Sequence, residues 1–301
     1  MFAPLDGVAA LSHLGVIRVT GEDAARFIHG QLTQDFALLD LQHARLAGYL
    51  SAKGRMLASL VGFKRNPDDI LLVCHRDLAT STAKRLTMFV LRAKAQVRDE
   101  SDQWSLHGLA GGAVPGGPQP PWTLVRLGEA SIVHLYPADG TPLALHVAPA
   151  GSPLPAGAAL DAAVWAWAEV RSGVATVSPA VADQFVPQML NYESVGGVSF
   201  KKGCYPGQEV VARSQFRGAI KRRTYRALAP AVLPAGTEVF SPADPQQPCG
   251  LVVQAAAAPQ GGAALLVSLQ IAAAEGPLYA GAAPGTPLQL DSLPYPLLED
   301  L

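Results

Sequence analysis

The ten residues KKGCYPGQEV, Lys201 to Val210, hold two lysines, a thiol, a phenol, an amide and a carboxylate. Cys204 stands between Gly203 and Gly207, with Pro206 alongside, a composition that favours a tight turn presenting its side chains. Lys201, Lys202 and Arg213 are close enough in sequence to supply a positive field that stabilises a thiolate. Nucleophilic catalysis also requires a base, and the seven histidines (His13, His29, His43, His75, His107, His134, His146) all lie far upstream. A single cysteine with scattered histidines forms no zinc array, and there are no closely spaced thiolates for an iron–sulfur cluster. On residue types alone, Cys204 is a reactive thiol, a redox sensor or a small residue packed in a bend.

Other stretches carry polar chemistry with equally ordinary alternatives. Gln208 and Glu209 pair an amide with a carboxylate, a combination able to read the edge of a pterin or purine ring, or simply to occupy a surface turn. In SAKGR, Ser51 to Arg55, Lys53 and Arg55 sit at a hairpin tip and suit either solvent or an anionic group. GQLTQD, Gly30 to Asp35, follows an apolar helical run and includes Gln31, as a helix exit or as part of a pocket wall. From Arg213 to Arg226, six of fourteen residues are Arg or Lys, with Phe216 and Tyr225 interleaved, which suits RNA contact or a basic connector. The P-loop, dinucleotide and HExxH patterns are absent from the sequence.

The elements that must position these residues read as alternating strands and helices. Leu14–Gly21 alternates like a strand, and Ala24, Phe27, Ile28 and Leu32 follow at helical spacing. The run from Ala44 to Arg65 reads as a hairpin turning at Ser51 to Gly54, DDILLVCH as a strand, and the residues from Asp77 as a helix leading to a short strand. Gly108 to Pro121 is too rich in Gly and Pro for a regular element. AVWAWAEVRSG reads as a helix whose Trp165, Trp167 and Val170 are core candidates, and short apolar runs beyond Gly218 fit a small antiparallel barrel. The expected units are 1–110, 111–220 and 221–301.

With 301 residues, 49% apolar and 16% charged, the chain is long enough for two or three domains. A net charge of −1 disfavours nonspecific nucleic-acid binding. No run is long and apolar enough to span a bilayer, and the first residues lack a secretory pattern, so a cytoplasmic protein without a membrane partner is expected.

KKGCYPGQEVVAR resembles the signature of the YgfZ-type folate-binding proteins, relatives of the glycine-cleavage T-protein (aminomethyltransferase). The likeness extends through FVPQMLN, GGVSFKKG and VVARSQFRGAIKRR, and to FIHGQLTQD and SAKGRM near the start. It implies an α+β, T-protein-like multidomain folate-binding fold, with mixed α/β domains around a central channel and a small C-terminal β-barrel. It implies tetrahydrofolate or a related reduced folate as ligand, with Gln31, Lys53, Arg55, Lys202, Tyr205, Gln208, Glu209 and Arg213 as candidate contacts and Cys204 as the functional thiol. Support of iron–sulfur client enzymes is implied too, among them a radical enzyme that methylthiolates tRNA. The acid that the T-protein sets near its folate has no counterpart in the matching blocks; Asp69 and Asp99 lie outside them. Aminomethyl transfer to folate and direct tRNA binding are the competing functions.

Overall fold

The computed structural model describes residues 5–216 and 220–298. With strands and helices numbered in chain order, one five-stranded sheet runs β3 (Ala44–Leu50), β4 (Met56–Asn66), β5 (Asp69–His75), β2 (Leu14–Thr20), β6 (Gln96–Asp99). A second runs β1 (Gly7–Ala10), β7 (Trp104–Ala110), β10 (Leu143–Pro149), β9 (Ala130–His134), β8 (Leu124–Leu127). All neighbours in both sheets are antiparallel. The helices are α1 (Ala24–His29), α2 (Arg76–Thr87), α3 (Ala162–Arg171) and α4 (Gln208–Phe216).

The two sheets pack face to face, and β5 shows why its sequence is apolar without a break. Leu71 and Val73 face the second sheet, joining Val16, Phe63, Leu106 and Leu145. Ile70, Leu72 and Cys74 face the other way, onto Phe27 and Ile28 of α1 and Leu86 of α2. A strand covered on both faces loses the polar half of its alternation. The second sheet takes β1 and β7 from residues up to Ala110 and its other strands from later ones, so it spans the boundary expected there. Gly108 to Ala110, expected to be irregular, complete β7, because Leu109 and Ala110 are fully buried in this sheet.

Beyond α4, six strands close into a barrel in the order β11 (Arg222–Ala229), β14 (Ala263–Gln270), β13 (Gly250–Ala257), β12 (Glu238–Phe240), β15 (Leu278–Ala280), β16 (Thr286–Asp291). Val239, Val252, Leu265, Val267 and Leu269 fill it, and closure leaves no unpaired edge. The basic stretch, expected to contact RNA or to connect domains, is partly internal. Arg223 is buried against Glu193, and burial pushes that carboxyl up although Arg223 opposes the shift. Arg226 is buried against Asp139 (2.8 Å) and Asp291 (3.1 Å), with Arg171 of α3 bridging the same two carboxylates at 2.6 Å each. These arginines therefore tie the barrel to the rest of the chain and do not face RNA. Arg217, in the same stretch, lies outside the described residues. No helix among the described residues is long and apolar enough to cross a membrane.

Candidate functional site

The signature loop is assembled on the end of α1. Lys202 is turned inward, 8% exposed, and its Nζ donates to Leu32 O (2.6 Å) and to His29 O. Both carbonyls belong to the end of α1 or the turn after it, where backbone acceptors lack helical partners and attract a cation. The ammonium also lies 4.7 Å from the centre of the Tyr205 ring. Burial lowers the Lys202 pKa to about 8, against the pull of Asp35 and Cys204.

The same contact brings a histidine to the loop. His29 Nδ1 is 3.1 Å from Asp35 Oδ1, and its Nε2 lies 3.7 Å from the position a Cβ on Gly203 would take. Burial disfavours the charged form of Asp35, but the Leu38 N–H (2.9 Å) and His29 outweigh it and hold the carboxyl below its usual value. Sequence spacing put every histidine far from Cys204. The only signal for His29 was its place inside FIHGQLTQD, one of the matching blocks.

The SAKGR turn seats directly against the signature. Gly54 and Gly207 both have positive φ (72° and 79°), and a Cβ on Gly207 would come within 2.6 Å of Ser51 O and 2.7 Å of Gly54 Cα. Only glycine permits that backbone-to-backbone contact with that φ. GQLTQD is bonded to the residues leading into the loop: Thr33 Oγ1 donates to Gly197 O (2.6 Å) and Gln34 Nε2 to Gly196 O (2.7 Å). Three motifs separated by as much as 173 residues thus form one surface, with Cys204 exposed upon it.

The individual candidates divide. Lys53, Arg213 and Glu209 are exposed; Gln208 is half-buried at the start of α4. Arg55 donates to Gln184 O at 2.7 Å, and Gln31 is half-buried with its Oε1 unpartnered. Tyr205 is 7% exposed, and burial pushes its phenol up to about 12. Lys202 and Tyr205 therefore build the loop from beneath and do not offer themselves to a ligand. Cys74 and Cys249 are buried elsewhere, with burial raising the Cys74 thiol to about 12.

A cavity lies between the two sheets, and none of the nine sequence-predicted residues lines it. Trp122, Tyr136 and Trp165 give it aromatic walls, with Ser59, Thr176 and Glu169 among its polar groups. The space open to the centres of water molecules is about 80 Å³. Glu169, on α3, is the only acid in its lining among the described residues, and His13 Nε2 approaches it to 3.4 Å. Burial alone would lower the His13 pKa, but the Glu169 carboxylate raises it above its ordinary value. Asp69 is held by Arg18 and Arg65, and Asp99 by Ser101 and Thr80, so neither is the cavity's acid. Trp122 has φ 71°, a conformation rare for a bulky residue, fixed by bonds from its backbone N to His134 O (2.7 Å) and from its Nε1 to Val195 O (2.9 Å). Val195 to Gly197 thus run from the cavity wall to the GQLTQD segment beneath Cys204.

Two sheets, a closing barrel and a cavity between the sheets define the class: a T-protein-like fold. The chain superposes on glycine cleavage system aminomethyltransferase T from Bartonella henselae with a TM-score of 0.72, covering 98% of this chain and 87% of that one at 15% identity. In sequence it is 34% identical over 226 residues to the tRNA-modifying protein YgfZ of Edwardsiella ictaluri (strain 93-146), spanning 69% of this chain and 67% of that protein. No protein-family model matches. The chain belongs to the YgfZ family.

Proposed function

We propose that this chain is a cytoplasmic folate-binding accessory protein in the maturation or repair of iron–sulfur proteins, and that it supports tRNA modification indirectly, through a client enzyme. The observation that carries the folate half is the cavity: aromatic walls suited to a flat heteroaromatic ring, and one carboxylate, Glu169, suited to ring N–H donors. A reduced folate bound there supplies ring nitrogens able to carry a one-carbon group. Lys53 and Arg213, two of the exposed cations in the motifs around Cys204, are the candidates for an anionic tail. The name of the Edwardsiella relative supports the link to tRNA modification, and the internal pairing of Arg223 and Arg226 favours an indirect link over direct RNA contact.

Isothermal titration with tetrahydrofolate tests the ligand. Saturable binding is expected, and Glu169→Gln should weaken it about tenfold, the size of one lost charge-assisted hydrogen bond. An absence of heat up to millimolar ligand removes the folate reading. In a strain lacking this protein, a cluster-dependent enzyme should lose activity that the wild-type chain restores and Cys204→Ala restores poorly.

The His13–Glu169 pair favours one second reading, a one-carbon transferase with folate as acceptor, because it places an acid and a proton carrier at the ring site. Turnover of an aminomethyl donor in the presence of tetrahydrofolate decides for it; an inert mixture at high protein concentration decides against it.

A further inference from the structure

The cavity suits a folate ring chemically but not in size. Ligand pockets usually offer about 300–1,000 Å³, against the 80 Å³ open here to water centres. One wall must therefore move, and the walls differ in how they are held. The walls from β3, β4, β5 and β10 belong to strands paired on one or both sides within their sheets. Helix α3 is capped by Asp161, whose side chain accepts from Ala163 N, and it packs onto β13 and β14 of the barrel.

Beside Leu11, Leu14, Trp122 and Leu135, the remaining walls are Tyr136 and the irregular run Ser172, Val174, Ala175 and Thr176, and these last two are backed by the same C-terminal segment. The Tyr295 ring meets Tyr136 edge-on at 5.5 Å, and Tyr136 in turn lies 6.0 Å from Trp122. Tyr295 also covers Gly173: a Cβ there would stand 2.9 Å from its ring and 3.0 Å from Pro294. Residues 292–298 follow the last barrel strand without joining a sheet, and Pro294 and Pro296 remove two of their backbone donors. The polar ties of Tyr295 and Leu298 to the body are few. Tyr295 OH donates to Gly173 O (2.8 Å), and Asn191 Nδ2 lies 3.5 Å from that hydroxyl. Leu298 N donates to Ser194 Oγ (2.9 Å), and Arg223 donates to Leu298 O (3.2 Å).

We propose that residues 292–298 are the movable wall of the cavity, with Tyr295 as the positioning residue that holds Tyr136 and residues 172–176 closed until a ring ligand enters. The inference rests on the cavity being the folate site, and it deepens that reading by naming what controls entry. A binding-competent state that is a minority of the population reduces the apparent on-rate and affinity by its fraction, so loosening the closed state raises both. It also places control of the ligand site on the barrel, because the strap continues directly from β16.

Two measurements on the full chain test it, using Tyr295→Ala, Tyr295→Phe and Ser194→Ala. Trp122 and Trp165 line the cavity, so acrylamide quenching of tryptophan fluorescence reports its opening without any folate. Quenching should rise about twofold in Tyr295→Ala, which frees the ring, and less in Ser194→Ala, which frees only the end of the segment. Stopped-flow binding of 5-formyltetrahydrofolate should show an on-rate about tenfold higher in Tyr295→Ala, with Tyr295→Phe between it and wild type. If Tyr295→Ala fails to fold by circular dichroism, Ser194→Ala and Tyr295→Phe carry both measurements. Wild-type quenching and wild-type on-rates in folded variants overturn the strap. A wild-type chain that binds no folate while its quenching still responds to the substitutions overturns the folate reading and leaves the strap standing.

Discussion

Lys202→Met probes the electrostatics beneath the signature loop. In the folded chain the ammonium is buried between two backbone carbonyls and the Tyr205 ring, and burial lowers its pKa from 10.5 to about 8. Between those values the unfolded chain still holds a proton that the folded chain has released. Stability therefore rises with pH across that window and levels off above it. The span from 10.5 to about 8 corresponds to roughly 3 kcal/mol. Methionine keeps a flexible apolar stem without a titratable group, so the comparison isolates this one proton. Urea unfolding of both proteins at half-unit pH steps lets the other lysines and the tyrosines cancel in the difference. Wild-type stability minus variant stability should be constant from about pH 6 to 7, then grow by roughly 3 kcal/mol towards pH 10.5. A flat difference, or one that shrinks as pH rises, refutes the account of Lys202 as a cation held in a desolvated recess.

Gly207→Ala should cost about 2–4 kcal/mol, because a methyl there meets Ser51 O at 2.6 Å in a backbone with φ 79°; a denaturant midpoint equivalent to a loss below about 1 kcal/mol would contradict the backbone contact. A thiol reagent should titrate one cysteine in the native chain and three in denaturant, since Cys204 alone is exposed; Cys204→Ser should abolish the native reaction. Burial disfavours the charged form of Asp291, but Arg171 and Arg226 outweigh it and hold its pKa below the ordinary value. Its stabilisation is therefore present above the unfolded pKa and lost as pH falls through the folded one. Asp291→Asn should be less stable at pH 7, with the gap to wild type closing below about pH 4 in acid unfolding; a gap that persists there denies the carboxylate its role.

Much of the local architecture was legible because it depends on neighbours in sequence. The turn at Ser51 to Gly54, the strand DDILLVCH and the helix carrying Trp165 follow from alternation, helical spacing and glycine placement. The barrel followed from short apolar runs cut by Gly, Pro and Asp. Gln208 and Glu209, read as a ring-edge pair or a surface turn, open α4, because the turn is complete at Gly207 and a helix starts after it. The pairing of β1 with β7 joins Gly7 to Ala110 and Ala10 to His107, and that of β7 with β10 joins Trp104 to Pro149, and no local pattern carries either.

The sequence by itself determined the family and the residues of the Cys204 surface, since three motifs with unusual side chains are recognisable wherever the chain places them. Tertiary structure decided what those residues do. It turned Lys202 inward onto the end of α1, set Tyr205 in the core, and brought His29 beside Gly203. It also buried two arginines of the basic stretch in ion pairs, and placed the aromatic cavity with Glu169 between sheets drawn from distant segments. The reason is physical: a side chain's type is local, whereas its desolvation, its partners and its direction depend on surfaces that meet only when the chain closes on itself.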